Sequence, residues 1–167
     1  SGRIGTLRAR LAAKHPCVNF LAVSDRDPAR ARQLAAQAGA DFHSGDNDEV
    51  IARPEVTAVI VSTPEGEHVS AVRKALELGK PVLVEKPIAL ALNDADDILA
   101  AVKHTGGELR VGYSRRYKEC FLRAKEQMLH GRLGQVIGGT ARVYNSRAQA
   151  FNILLRDPHA TPVLDVL

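Results

Sequence analysis

The sequence is poor in aromatic residues: among its 167 residues there are four Phe, three Tyr and no Trp. Proteins that bind single-stranded nucleic acids stack the bases on aromatic rings, so this scarcity argues against such a binding face. The net charge of +4 comes from basic residues that are scattered along the chain rather than clustered. We therefore predict no nucleic-acid partner.

Cysteines and long apolar runs are also scarce. Cys17 and Cys120 lie far apart, with no Cys or His at a metal-ligand spacing, which favours two reduced thiols in a cytoplasmic protein. The six histidines form no metal-binding pair either, so no metal site is predicted. No run of about 18 apolar residues is present, which predicts no membrane-spanning helix.

Strand-like and helix-like segments alternate along most of the chain. Short apolar runs predict strands at 18–24, 57–62, 81–84 and 109–112. The run 57–62 is apolar throughout, as expected of a strand buried on both faces. Helical patterns predict helices at 3–14, 28–37, 46–52, 67–78, 93–104 and 118–129, and Asn93 is expected to be an N-cap. This alternation is typical of βαβ units in an α/β domain with a parallel sheet.

The strand and helix pattern changes after Tyr113, and we place a domain boundary near Gly131–Gly134. Residues 135–144 alternate apolar and polar side chains, which predicts a strand in a sheet with one solvated face. We therefore assign residues 1–131 to a first domain. Residues 132–167 are assigned to the start of a second domain, which we expect this chain not to complete.

The first five residues carry part of a dinucleotide-binding motif. They match G-x-G-x-x-G without its leading Gly, so we expect a chain cut at both ends, with the first strand preceding Ser1. Gly2 would allow the backbone to approach a pyrophosphate, and Gly5 would allow the helix to pack closely on the sheet. The helix from Arg3 onward would offer its N–H groups to phosphate. A motif this short is unspecific by itself.

Asp25 ends the apolar run that follows this motif, 20 residues after Gly5. A carboxylate at this place accepts hydrogen bonds from an adenosine ribose, although an Asp here also suits the start of a turn. Arg26 leaves the choice of cofactor open, because a guanidinium can pair with a 2′-phosphate. Since Asp25 would repel that phosphate, we expect NAD, with NADP as the alternative.

Polar residues follow two further predicted strands. They are Thr63, Pro64 and His68 after 57–62, and Glu85 and Lys86 after 81–84. In open α/β sheets the ligand lies beyond the carboxyl ends of the strands, so both segments are candidates for the site. From spacing alone, a catalytic role for Glu85 and Lys86 and a surface ion pair at a turn are equally favoured.

Together these motifs resemble the Gfo/Idh/MocA oxidoreductases, a family named for glucose-fructose oxidoreductase, inositol dehydrogenase and rhizopine catabolism. The matching residues are Gly2-Arg3-Ile4-Gly5, Asp25, Ser62-Thr63-Pro64 with His68, Ala75-Leu76 before Gly79-Lys80, Glu85-Lys86-Pro87, and Val111-Gly112-Tyr113 with Arg116-Tyr117. The resemblance covers essentially the whole chain, and its specific part is the separation of the Thr-Pro-x-x-x-His and Glu-Lys-Pro motifs. It implies a Rossmann-type, doubly wound parallel sheet, followed by an α+β domain with a mostly antiparallel sheet.

The resemblance also implies roles for individual residues. Cofactor-binding roles fall on Gly2, Arg3, Ile4, Gly5, Asp25, Arg26, Ser62, Thr63, Pro64, His68, Glu85, Lys86 and Arg116. Lys86 would in addition be catalytic, reaching the substrate hydroxyl. Asp165 matches a second catalytic position, the Asp of an Asp-x-x-x-His motif whose His would fall beyond Leu167. The residues before that Asp are glycine-rich in the family, whereas here they are His159-Ala160-Thr161.

The activity implied is hydride transfer between a nicotinamide cofactor and a secondary alcohol of a sugar, cyclitol or related polyol. The complete protein would be a homo-oligomer without a membrane or nucleic-acid partner, and this chain alone is expected to be inactive. Two alternatives stay open. One is a non-catalytic dinucleotide-binding or sensing protein of the same fold, and the other is a family member that recycles a tightly bound NAD(P).

Overall fold

The structure, a computed structural model, describes residues 2–140, 142, 144 and 146–156. Its strands are β1 Ala22–Ser24, β2 Phe42–Ser44, β3 Val59–Val61, β4 Val82–Val84 and β5 Leu109–Val111. Its α-helices are α1 Arg3–Ala13, α2 Pro28–Ala38, α3 Asn47–Ala52, α4 His68–Glu77, α5 Leu92–Thr105, α6 Glu119–Leu129 and α7 Arg147–Arg156. Short 3₁₀ helices lie at Glu65–Glu67 and Ser114–Tyr117. No helix of the described residues is long and apolar enough to cross a membrane.

The strands form two parallel sheets with helices between consecutive strands. β1 pairs with β2, and β4 lies between β3 and β5. Parallel neighbours need a crossover connection, which α2, α4 and α5 supply. The predicted α/β architecture with a parallel sheet is therefore confirmed.

Each sheet has two edges that face no partner strand among the described residues, on β1 and β2 in one sheet and on β3 and β5 in the other. The prediction that β3 is buried on both faces is wrong for Ile60, which is 43% exposed, whereas Val61 beside it is buried. The apolar side chain of Ile60 therefore stays partly in contact with solvent. A strand preceding Ser1 remains a prediction.

The larger core lies where α4 and α5 pack on the sheet of β3, β4 and β5. Val72, Leu76, Val84 and Ile98 are completely buried there. A smaller core joins α1 and α2 to β1 through Ala9, Val23, Leu34 and Ala35. Because α3 contacts both β2 and α4, the two sheets belong to one compact unit.

Local chemistry closes helix α2 at both ends. The Asp27 side chain accepts a hydrogen bond from the Ala29 N–H and caps α2, and Gly39 ends this helix in the left-handed conformation with φ +69°. The expected N-cap at Asn93 is wrong, because α5 begins at Leu92 and its cap is Ala91, which makes no side-chain hydrogen bond.

The chain divides into two compact units, Ser1–Gly112 and Tyr113–Leu167. This division comes before the predicted boundary at 131, and the assignment of 132–167 to a second domain stays a prediction. The expected strand at 135–144 is not formed at 135–140, 142 or 144. A strand is stable only when its backbone groups pair with another strand, and no described residue of the second unit supplies one. Helix α7 was not predicted.

Candidate cofactor and active site

The loops that follow β1, β3 and β4 carry most of the predicted site residues. We call them the β1 loop (25–27), the β3 loop (62–64) and the β4 loop (85–87). Arg26 Nη1 lies 2.6 Å from Oε1 of Glu67, which is in the 3₁₀ helix after the β3 loop. The β1 and β3 loops therefore lie at the same edge of the unit, where ligands bind in open α/β folds.

The N-terminus of α1 offers the backbone N–H groups of its first turn, which no described side chain caps. Gly2 is the N-cap in an extended conformation, it supplies no side-chain hydrogen bond, and the first turn contains no acidic residue. The space around Gly2 is open, since a Cβ placed there would meet no atom within 4 Å. Arg3, Ile4 and Gly5 form the first turn, whose N–H groups suit a phosphate.

Glu85 in the β4 loop is held by α1 through Arg8. Arg8 Nε lies 2.6 Å and Nη2 2.5 Å from Oε1 of Glu85, and both side chains are largely buried. Gly112 packs directly against this carboxylate, because a Cβ at Gly112 would lie 2.9 Å from Glu85 Oε2. Arg8 was missed in the sequence analysis, since no spacing rule links residues 77 positions apart.

Asp25 occupies the start of the β1 loop, as predicted. Its Oδ1 accepts a hydrogen bond from the Asp27 N–H at 2.9 Å, and its own N–H donates to the Ser44 carbonyl at 3.2 Å. The turn that the sequence offered as an alternative role is therefore present. One carboxylate can both shape this turn and accept hydrogen bonds from a ribose, because it has two oxygens.

Two buried hydroxyl groups in the β3 loop have no hydrogen-bond partner in the part of the chain that the structure describes. They are Ser62 Oγ and Thr63 Oγ1. Buried hydroxyl groups are nearly always paired, and an unpaired one needs an explanation. Both residues are partly exposed, so rotation of either side chain would bring its hydroxyl group to a polar ligand on the β3 loop, as a nicotinamide dinucleotide would be.

His68 is the first residue of α4 and is 1% exposed. Its Nδ1 lies 2.9 Å from the Pro87 carbonyl oxygen in the β4 loop, and its Nε2 lies 3.2 Å from the Thr63 carbonyl oxygen in the β3 loop. The imidazole thus connects the two loops through their backbones. Its predicted contact with the cofactor stays a prediction.

The remaining predicted site residues lie in different parts of the chain. Lys86 follows Glu85 directly and is partly buried, and the peptide bond between Lys86 and Pro87 is cis. Arg116 is exposed in the 3₁₀ helix Ser114–Tyr117 of the second unit. Asp165, the second predicted catalytic residue, lies outside the described residues.

Residues 1–113 match the profile of the Gfo/Idh/MocA family, an oxidoreductase family with an NAD-binding Rossmann fold. The scyllo-inositol 2-dehydrogenase (NAD(+)) of Bacillus subtilis is 35% identical over 137 residues, which are 81% of this chain and 40% of that protein. The 1-carboxy-3-chloro-3,4-dihydroxycyclohexa-1,5-diene dehydrogenase of Comamonas testosteroni is 38% identical over 119 residues, which are 71% of this chain and 30% of that protein.

A solved structure shows the same fold. The scyllo-inositol dehydrogenase of Lactobacillus casei, crystallised with NAD(H) and scyllo-inositol, matches with a TM-score of 0.75 and 25% identity. The match covers 81% of this chain and 40% of that chain. The chain thus spans less than half the length of each of these relatives.

Proposed function

Because the chain belongs to the Gfo/Idh/MocA oxidoreductase family, with its NAD-binding Rossmann fold, we propose that it is the cofactor-binding part of an NAD-dependent dehydrogenase. The substrate would be a secondary alcohol of a sugar, cyclitol or related polyol. The proposal concerns a longer protein that carries this chain. Each of the relatives named above is more than twice as long as the segment that it shares with this chain.

The observation that carries the proposal is the environment of the β4 loop. Glu85 is only 14% exposed in its side chain and is held by Arg8, so it is not part of a simple surface ion pair at a turn. Lys86 comes next to it, beyond the carboxyl end of β4. An apolar strand followed by two charged residues at the ligand edge favours a functional role over packing.

Several elements of this chain would hold the cofactor. The N-terminus of α1 suits the pyrophosphate, Asp25 the adenosine ribose, and the hydroxyl groups of Ser62 and Thr63 the middle of the cofactor. Glu85, anchored by Arg8, suits the nicotinamide ribose. NAD+ supplies the hydride acceptor when it is bound.

Lys86 would act on the substrate rather than on the cofactor. Its ammonium group, aimed at the reacting hydroxyl, would stabilise the negative charge that develops on that oxygen as the hydride leaves. The ammonium lowers the pKa of the hydroxyl by its charge alone, without losing a proton itself. A separate group must accept the hydroxyl proton, and we propose that Asp165 assists that group.

The relatives support a cyclic substrate. The Bacillus enzyme is named for scyllo-inositol and the Comamonas enzyme for a dihydroxycyclohexadiene, and both compounds carry hydroxyl groups on a six-membered ring. We therefore place ring polyols first among the substrates to be tested.

The test is a screen of the full-length protein with NAD+ over inositols, pyranoses and open-chain polyols, followed by absorbance of the reduced nicotinamide. We expect turnover with at least one ring polyol. Binding of NAD without turnover on any member of the panel would contradict the proposal and favour a sensing protein. A cofactor that stays bound through purification and is reduced only once would favour internal recycling.

A further inference from the structure

We propose that His68 is a positioning residue that sets the backbone of the β4 loop, and with it Lys86, relative to the β3 loop. The proposal rests on the function proposed above, because it assigns to Lys86 a role in the reaction. It departs from the sequence-based expectation that His68 touches the cofactor.

The burial of His68 carries the first step. With 1% of its surface exposed, the imidazole has almost no area left for a ligand. Both ring nitrogens already lie within hydrogen-bond distance of backbone carbonyl oxygens, Pro87 O at 2.9 Å and Thr63 O at 3.2 Å. We therefore expect His68 to act through the two backbone segments that it contacts and not through direct contact with a ligand.

The identity of the two partners carries the second step. Thr63 and Pro87 belong to the loops after β3 and β4, which are paired neighbours in the sheet. The Pro87 carbonyl lies one residue beyond Lys86, so a hydrogen bond to it restrains the backbone of the proposed catalytic lysine. Reacting groups must be held closely, since a misplacement of about 1 Å can lower a rate by on the order of 10²-fold.

The chemistry of imidazole carries the third step. Carbonyl oxygens only accept hydrogen bonds, and a neutral imidazole has a single N–H to donate. We place that proton on Nδ1, which makes the shorter contact and then donates to the Pro87 oxygen. His68 therefore restrains the β4 loop by a hydrogen bond, while its Nε2 lies 3.2 Å from the Thr63 carbonyl oxygen of the β3 loop.

Two variants of the full-length enzyme separate positioning from packing. His68→Leu fills a similar volume without a donor, whereas His68→Gln keeps a side-chain N–H. We expect His68→Leu to lower kcat by about 10- to 100-fold while the Kd for NAD changes by less than about threefold, and His68→Gln to recover most of the loss. His104→Leu, at an exposed histidine of α5, is the matched control.

Other outcomes would overturn the proposal. A parallel loss of NAD affinity and kcat would make His68 a cofactor contact, and equal defects in the Leu and Gln variants would make it a packing residue only. The wild-type protein gives a second test that needs no variant, because ¹⁵N NMR of the imidazole reports which nitrogen carries the proton. An unprotonated Nδ1 would refute the hydrogen bond to Pro87.

The same experiments separate this proposal from the proposed function. A wild-type protein that reduces NAD+ with a ring polyol and is unaffected by His68→Leu refutes the positioning role alone. A wild-type protein without turnover refutes the proposed function, and the protonation of Nδ1 then still decides whether His68 holds the β4 loop.

Discussion

At the scale of single residues, we propose that Lys86 supplies the charge that the reaction needs. In the full-length enzyme we expect Lys86→Ala to lower kcat by about 10²- to 10³-fold, the usual effect of removing one group that stabilises a developing oxyanion. Cofactor affinity, measured by nicotinamide fluorescence, should stay within about tenfold, because other residues hold the dinucleotide. A variant that keeps more than about a tenth of the wild-type kcat would assign Lys86 a structural role.

The preference for NAD also depends on individual carboxylates. Asp25 would lie near a 2′-phosphate, and two like charges at about 4 Å cost several kcal/mol at an effective dielectric constant near 20. Arg26, which could compensate that charge, is already paired with Glu67 at 2.6 Å. We therefore expect tighter binding of NAD than of NADP by the full-length protein.

Two substitutions test this explanation of cofactor choice. Asp25→Ser should move the preference towards NADP, and Glu67→Gln should strengthen NADP binding by up to about fivefold, because the Arg26–Glu67 pair is exposed and weak. Glu77→Gln, at the far end of α4, is the matched control. Equal affinities for the two cofactors in the wild-type protein, measured by titration, would contradict the prediction.

Sequence reasoning identified candidate site residues that directly follow apolar runs. Asp25, Thr63 and Lys86 are recognisable because a charged or polar residue at the end of a buried strand has no packing role. Arg8 and Glu67 were not found, because their partners come from other segments of the chain. For the same reason the burial of His68 between two loops could not be predicted.

At the scale of elements, Lys80 ties the end of α3 to the turn before β4. Its ammonium group donates to the carbonyl oxygens of Ile51 at 2.5 Å and Arg53 at 2.7 Å. Carbonyls at a helix C-terminus have no partner within the helix, so these bonds stabilise both elements. Burial lowers the pKa of Lys80, because removing the ammonium group from water disfavours its charged form. Part of the free energy gained from the two hydrogen bonds offsets that cost.

We expect Lys80→Met to destabilise the protein by about 1–3 kcal/mol, because it keeps most of the apolar stem but removes the ammonium donor from the Ile51 carbonyl oxygen and leaves the Arg53 carbonyl oxygen with the Val56 N–H alone. Thermal or urea unfolding of the full-length protein measures the effect. Lys103→Met, at an exposed lysine in the last turn of α5, should change stability by less than about 1 kcal/mol. Equal effects of the two substitutions would show that the Lys80 bonds contribute no stability.

The helices were easier to predict than the strands. Glycines beyond the helix ends and Pro28 at the start of α2 are local signals, and they were sufficient for α2 and α4. A strand depends on a partner elsewhere in the chain. The apolar run 18–24 therefore contributes only Ala22–Ser24 as a strand, and the short, mostly polar β2 was missed.

At the scale of the whole molecule, the edges of β1 and β3 that pair with no other described strand should govern the behaviour of residues 1–167 made alone. Exposed strand edges are templates for pairing with other chains. Apolar side chains on α1 and β3 remain partly exposed, with Leu7 at 49%, Leu11 at 54% and Ile60 at 43%. Burial of apolar surface stabilises a protein by about 25 cal/mol per Å², so leaving several hundred Å² in water would cost several kcal/mol of stability.

That loss is comparable with the whole stability of a domain, about 5–15 kcal/mol. We therefore expect residues 1–167 to self-associate and to melt without cooperativity, whereas the full-length protein melts cooperatively and binds NAD. Size-exclusion chromatography, thermal melts and NAD titration of both proteins measure the difference. A monomeric 167-residue protein with a cooperative melt and micromolar NAD affinity would contradict the prediction. It would mean that the edges of β1 and β3 are satisfied within this chain, and that the predicted strand before Ser1 is not needed to join the two sheets.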